Sequence, residues 1–219
     1  EGLSLKIGPR GSGSKDEAKG AKYCEEQFRQ MGQEPVVEQF VSHSSVFRPH
    51  MVAAILFAIA YLIFLKMPFV AFVISAVALV SEFQELLLRP NLLRMFGGRK
   101  ISRNVYAKQD PKGAVKRELI LMGHIDTQRT PLIFSSKQWR KIYAVWSNVA
   151  MGLLVVQTVL FGLSLIWPSI RLTVWRLCFI SLLAALSLIA ITLEADLSPY
   201  TAGALPFFFV PWSTAASCS

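Results

Sequence analysis

Charge is in short supply in this sequence, and its uneven placement carries most of the information. Asp, Glu, Lys and Arg make up 17% of the 219 residues, against about 25% in ordinary soluble chains. Acidic residues are the scarcer kind, 14 against 23 basic ones, for a net charge of +9. Cysteine is scarce too. Cys24, Cys178 and Cys218 are odd in number and have no metal-binding spacing, which excludes a disulfide framework and leaves the redox compartment open. The basic balance invites a nucleic-acid reading, but the chain lacks a nucleic-acid motif and any basic stripe interleaved with aromatics, so no nucleic-acid partner is expected. A secretory signal pattern is missing as well. The first residue is Glu1 rather than Met, and the chain reads as a fragment at that end.

What is present is apolar and blocked together. Residues 51–65, MVAAILFAIAYLIFL, carry no charge; Lys66-Met67-Pro68 interrupts, and FVAFVISAVALV follows at 69–80, extended by SEFQELLL to Leu88. A spanning helix takes roughly 20 apolar residues, so each run is short alone, and the pair reads as a hairpin of helices. Residues 143–167 form a longer run without a charge, and LCFISLLAALSLIAITL follows at 177–193 after a break at Pro168 to Arg171. Trp146, Trp167 and Trp175 sit near the ends of these runs, where interfacial aromatics are expected. The fold class expected is therefore a four-helix transmembrane part joined to an α/β part.

The polar stretches supply the second component. Residues 8–14, GPRGSGS, form a loop, and Ser14 with Glu17 three residues on fits a capping box at the start of a helix. Ala18, Ala21, Cys24, Phe28 and Met31 continue at helical spacing, and Gly32 is the expected stop. PVVEQFV (35–41) and RNVYAKQD (103–110) read as strands, and RELILMGHID (117–126) as a further strand paired with the second across the Asp110-Pro111-Lys112-Gly113 turn. The expected segments are 1–50, a helix and strand; 51–88, the first transmembrane hairpin; 89–142, the further strands; 143–193, the second hairpin; and 194–219, a closing polar segment. Residues 89–142 contain 13 Lys or Arg and 3 Asp or Glu, whereas the hairpin turns hold Lys66, Arg171 and Arg176. The positive-inside rule then places the polar parts in the cytoplasm of an integral, multi-pass membrane protein whose partner is the lipid bilayer. Basic runs such as KQWRK (137–141) read as membrane-flanking anchors.

The chemistry to weigh is His124-Ile125-Asp126, at the end of the apolar run LILM. Alternate residues at a strand's end point the same way, and a metal-binding histidine commonly donates its other ring N–H to a carboxylate. The pair can thus supply a ligand and its orienter, although ordinary surface chemistry fits the same two residues. His43 and His50, flanking the first hairpin, read as loop and interface residues. Glu82 and Glu85 read as a solvated helix end.

Several stretches in order resemble the start of the co-catalytic zinc aminopeptidases, the clan MH metallopeptidases, which include bacterial and vacuolar aminopeptidases and have glutaminyl cyclase and transferrin receptor as relatives. GPRGSGSKDEAKGAKYCEEQFRQMGQEPVVEQF resembles that family's opening, SRNVYAK its Asn-Val strand, ELILMGHIDTQ its strand ending in His-x-Asp, and SPYTAGA (198–204) the segment before its next metal site. The resemblance covers about half of the chain, with the two apolar hairpins as insertions. It implies a partial aminopeptidase-like sheet with a covering helix, His124 as a zinc ligand, Asp126 as the carboxylate that orients that histidine, two zinc ions, and hydrolysis of a peptide substrate at its N-terminal bond. The sequence also departs from the family. After Gly203-Ala204 comes Leu205-Pro206-Phe207-Phe208-Phe209, where the family has Asn-Asp-Asn and its metal-bridging Asp. The tail to Ser219 reads as an altered or frame-shifted end, and the remaining ligands and the general-base glutamate are missing.

Two functions follow from the resemblance: a membrane-anchored zinc peptidase, of which this chain is a truncated and inactive portion, or a non-catalytic membrane scaffold or binding protein derived from the same fold. A small four-helix transporter is a third reading, weakened by the lack of charge in the apolar cores.

Overall fold

Ser14 and Gly32 mark the two ends of the first helix, α1 (Lys15–Gln30). The Ser14 hydroxyl accepts from the Glu17 backbone N–H at 3.1 Å. Glu17 reaches back one residue further than a capping box requires, to the N–H of Gly13 at 2.5 Å, because the Ser14 N–H is already taken by the Gly11 carbonyl. At the other end Gly32 adopts φ +72°. Its N–H donates to the Arg29 carbonyl and that of Gln33 to Phe28, the paired bonds of a Schellman motif, which needs a left-handed residue at this point.

The computed structural model describes residues 2–43, 45–90, 92–110, 113 and 119–200. They belong to two compact units. The first comprises residues 1–42, 100–129 and 200–219, the second residues 43–99 and 130–199.

In the first unit, α1 is followed by β1 (Pro35–His43), which pairs antiparallel with β2 (Arg99–Ala107) in a two-stranded sheet. Glu17 is buried, and its carboxylate accepts from the Ser102 hydroxyl of β2, so the capping residue of the helix also ties it to the sheet. The strands expected at 35–41 and 103–110 are present, the second beginning earlier and ending at Ala107. The strand expected over 117–126 is not. Residues 117 and 118 lie outside the described residues, and 119–126 form no strand. Leu119, Ile120, Leu121 and Met122 stand 81%, 73%, 86% and 92% exposed. A strand is defined by the partner that takes its N–H and C=O groups, and β1 and β2 pair with each other, leaving the apolar run without one. Among the described residues the first unit is thus a helix on two strands, without a third strand ending at His124.

The second unit is helical: α2 (Arg48–Ile63), α3 (Pro68–Leu86), α4 (Lys137–Ile166), the short α5 (Arg171–Leu177) and α6 (Phe179–Leu197). Pro68 opens α3 and Pro168 follows the end of α4, both where a missing N–H costs nothing. α2 packs on α3 and α6, and α4 packs on the same two helices, which closes a ring of four. Length separates them. α3, α4 and α6 are long and apolar enough to cross a membrane. α2, with 16 residues, rises only about 24 Å at 1.5 Å per residue, against a hydrocarbon core of about 30 Å. By length, three of the four expected spans are present.

The side chains are arranged as lipid solvent requires. On α3 the buried face is Ala71, Ser75, Ala78 and Glu82, and the exposed face is Phe69, Val73, Val77 and Val80. α6 buries Ser181, Ala184, Ala185 and Thr192 while exposing Phe179, Ile180, Leu183 and Leu186. In water such a helix would turn the large residues inward. In a membrane, small residues inside let backbones approach and hydroxyls bond across helices. Three bonds of that kind hold α4. Thr158 donates to the Leu154 carbonyl and accepts from Ser75 of α3 at 2.6 Å. Gln157 donates to the Phe57 carbonyl of α2 at 3.2 Å. The Ser181 hydroxyl of α6 donates to the Leu153 carbonyl at 3.1 Å. Phe64 and Phe161 stack below them with ring centroids 4.0 Å apart. Together with three spans of sufficient length, this inverted pattern identifies a membrane protein.

Candidate functional site

The segment bearing His124 is held from the opposite end of the first unit's sequence. Arg10, 3% exposed, directs its Nε to the Ile125 carbonyl at 2.7 Å and its Nη1 to the carbonyls of Gly8, at 2.6 Å, and Leu3. Its backbone closes a reciprocal pair with Thr127: the Arg10 N–H donates to Thr127 Oγ1 at 2.8 Å, and the Thr127 N–H donates to the Arg10 carbonyl at 2.7 Å. Residues 125–127 are therefore fixed without belonging to a sheet. Gly20 of α1 allows the close approach, since a Cβ there would meet Arg10 Cδ at 2.9 Å and Ile125 Cγ2 at 3.1 Å. Further on, Arg129 forms an antiparallel bridge with Tyr200 and lays its guanidinium 4.5 Å from the centre of the Tyr200 ring. Gly11 packs under that ring, where a Cβ would collide with it. Arg129, three residues past Asp126, is thereby paired with Tyr200; the residues after Tyr200 are outside the described residues.

Between these anchors the His124 side chain is 83% exposed, and its Nδ1 lies 3.3 Å from Asp126 Oδ1. An ionised carboxylate only accepts, so in a neutral imidazole bonded this way the proton sits on Nδ1 and Nε2 is left for a ligand. That is the atom a metal would take from a histidine oriented in this way. The distance lies just beyond the usual range of about 2.7–3.2 Å for an N–H···O bond, and exposure further weakens it.

The donor set stops there. No group of three or more His, Cys, Asp or Glu side chains converges among the described residues. A catalytic zinc normally takes three protein ligands, so one histidine with an orienting carboxylate does not fit such a centre. His43 and His50 belong to the second unit. His50 is not in a loop: it lies in the first turn of α2 and bonds Glu82 of α3 at 2.8 Å. The solvated helix end expected at Glu82 and Glu85 is corrected with it. Glu82 is 8% exposed, and Glu85 takes a two-pronged bond from Arg94 at 2.9 and 3.1 Å. With Arg48–Asp196 at 3.0 Å, two ion pairs and the His50–Glu82 bond gather at the end of the bundle where α2 begins and α3 and α6 finish. Arg48 with Asp196 and His50 with Glu82 are far apart in sequence, so only the helix packing reveals those two contacts.

Comparison with models of protein families, with curated proteins and with solved structures finds no match.

Proposed function

We propose that this protein is a multi-pass membrane protein whose polar unit is related to the co-catalytic zinc peptidases, that His124 is a zinc ligand oriented by Asp126, and that this chain by itself does not hydrolyse peptides. The observation that carries the proposal is an exposed histidine whose Nδ1 lies 3.3 Å from a carboxylate two residues on, on a segment anchored through Arg10. A membrane-anchored peptidase acting on peptide substrates would require further ligands and a general base brought to His124. The alternative, a non-catalytic scaffold or binding protein of the same descent, is favoured by the exposed apolar residues 119–122 beside the histidine. In either case α2, too short to span by itself, crosses with the help of its flanking residues, so that the four apolar helices form two hairpins and the basic polar stretches face the cytoplasm.

Zinc titration of the full chain in detergent, followed by calorimetry, tests the site. Zinc should bind weakly through His124, and His124→Ala should abolish the response. Asp126→Asn should weaken it about tenfold or more, as loss of an orienting partner does. An unchanged zinc response in His124→Ala would remove the histidine from the account. Hydrolysis of an aminoacyl p-nitroanilide should stay at the level of buffer with zinc. Turnover that disappears in His124→Ala would show that this chain is an enzyme unaided.

A further inference from the structure

The ion-paired end of the bundle contains a cavity of about 260 Å³ within the second unit. We propose that it binds a small protonated amine with an apolar body, the ammonium group held by Glu82 and Asn148.

The polarity of the lining selects the ligand. Ser147 spends its hydroxyl proton on the Ala144 carbonyl, at 3.1 Å, and Asn148 Nδ2 donates to the same carbonyl at 2.7 Å. Thr192 donates to the Leu188 carbonyl at 2.7 Å. The Ser147 and Thr192 protons are consumed by their own helices, so those two side chains keep lone pairs for the cavity, while Asn148 keeps its carbonyl oxygen and one N–H. Glu82 adds a carboxylate, which accepts only, and His50 occupies Oε2 of that carboxylate alone. No Lys or Arg lines the space. His50 and Tyr143 also line the space, His50 already bonded to that carboxylate, so an anion would meet the Glu82 carboxylate at close range. A cation with several N–H donors meets a buried carboxylate and acceptors on two helices. The rest of the wall, including Phe57, Leu154 and Leu188, is apolar and suits a hydrocarbon or aromatic body. The volume lies below the 300–1,000 Å³ or so of pockets for drug-sized ligands, which limits the ligand to a small molecule.

The proposal rests on the second unit alone and stands whether or not His124 binds zinc. Phenethylammonium is the probe, titrated into the full chain in detergent micelles and read by calorimetry against empty micelles. The expected result is saturable 1:1 binding, at least tenfold weaker in Glu82→Gln and absent for 3-phenylpropionate, which has the same body and opposite charge. Met151→Phe, which fills the cavity and leaves every acceptor in place, should also abolish it. Should Glu82→Gln lose its helical circular dichroism, Asn148→Leu replaces it, with the same tenfold loss expected. Absence of a saturable component, parent affinity in the acceptor variants, or equal binding of the carboxylate overturns the proposal.

Discussion

Replacing Arg10 by Met should destabilise the first unit by about 3 kcal/mol or more, the largest effect expected of any single polar substitution there. The guanidinium serves the carbonyls of Leu3, Gly8 and Ile125, and methionine fills much of the same space without a donor. Each buried acceptor left without a partner costs roughly 1–3 kcal/mol. Water reaching the partly exposed carbonyls reduces the sum, which is why the lower part of the range is the expectation. The backbone pair between Arg10 and Thr127 would remain, so residues 125–127 should loosen without detaching. Amide hydrogen exchange reads this directly: protection at Thr127 should fall along with that of α1. A loss below about 1 kcal/mol, with the Thr127 amide still protected, would mean that the segment carrying His124 is held by something other than Arg10.

Phe161→Ala should cost about 3–5 kcal/mol, the range for a fully buried phenylalanine, whereas Phe69→Ala should change stability by no more than about 0.5 kcal/mol. Phe161 is completely buried and stacks on Phe64; Phe69 is 65% exposed on the outer face of α3. In lipid the difference has a simple origin. Transfer from hydrocarbon to a protein interior provides little hydrophobic gain, so packing contacts dominate. Truncating Phe161 leaves a void between helices, while lipid chains fill the space that Phe69 vacates. Thermal unfolding of the two variants in the same detergent gives the comparison. Equal losses would mean that Phe69 is packed against protein and that the bundle's inside and outside have been misassigned.

The features legible in the sequence are those decided within a few residues. Ser14, Glu17 and Gly32 declare the ends of α1 because caps are made by neighbours in the chain. The apolar runs declare their helices for the same reason, although α2 ends at Ile63 rather than continuing to Leu65. What the sequence hides depends on distant partners. LILM at 119–122 has the composition of a buried strand, yet composition does not supply a neighbouring edge, and the residues stand exposed. Glu82 looks like a solvated charge until α2 brings His50 against it. Arg10 looks like part of a flexible glycine-serine loop, while in the fold it reaches Ile125, more than a hundred residues on. At the candidate site, His124 and Asp126 are neighbours by sequence and meet in space. The anchors that hold them there are not readable from the motif.

Sidedness is the most direct test of the central claim, that two hairpins of helices cross the bilayer and return. Single cysteines at Lys66, in the turn between α2 and α3, and at Lys108, after β2, would be introduced into a chain lacking its native cysteines. They would be labelled in sealed, uniformly oriented vesicles with a maleimide that does not cross membranes. The account predicts that the two positions react from opposite sides, Lys66→Cys from one face and Lys108→Cys from the other. Labelling of both from the same side would show that α2 and α3 enter the membrane without crossing it, and would contradict the two-hairpin arrangement.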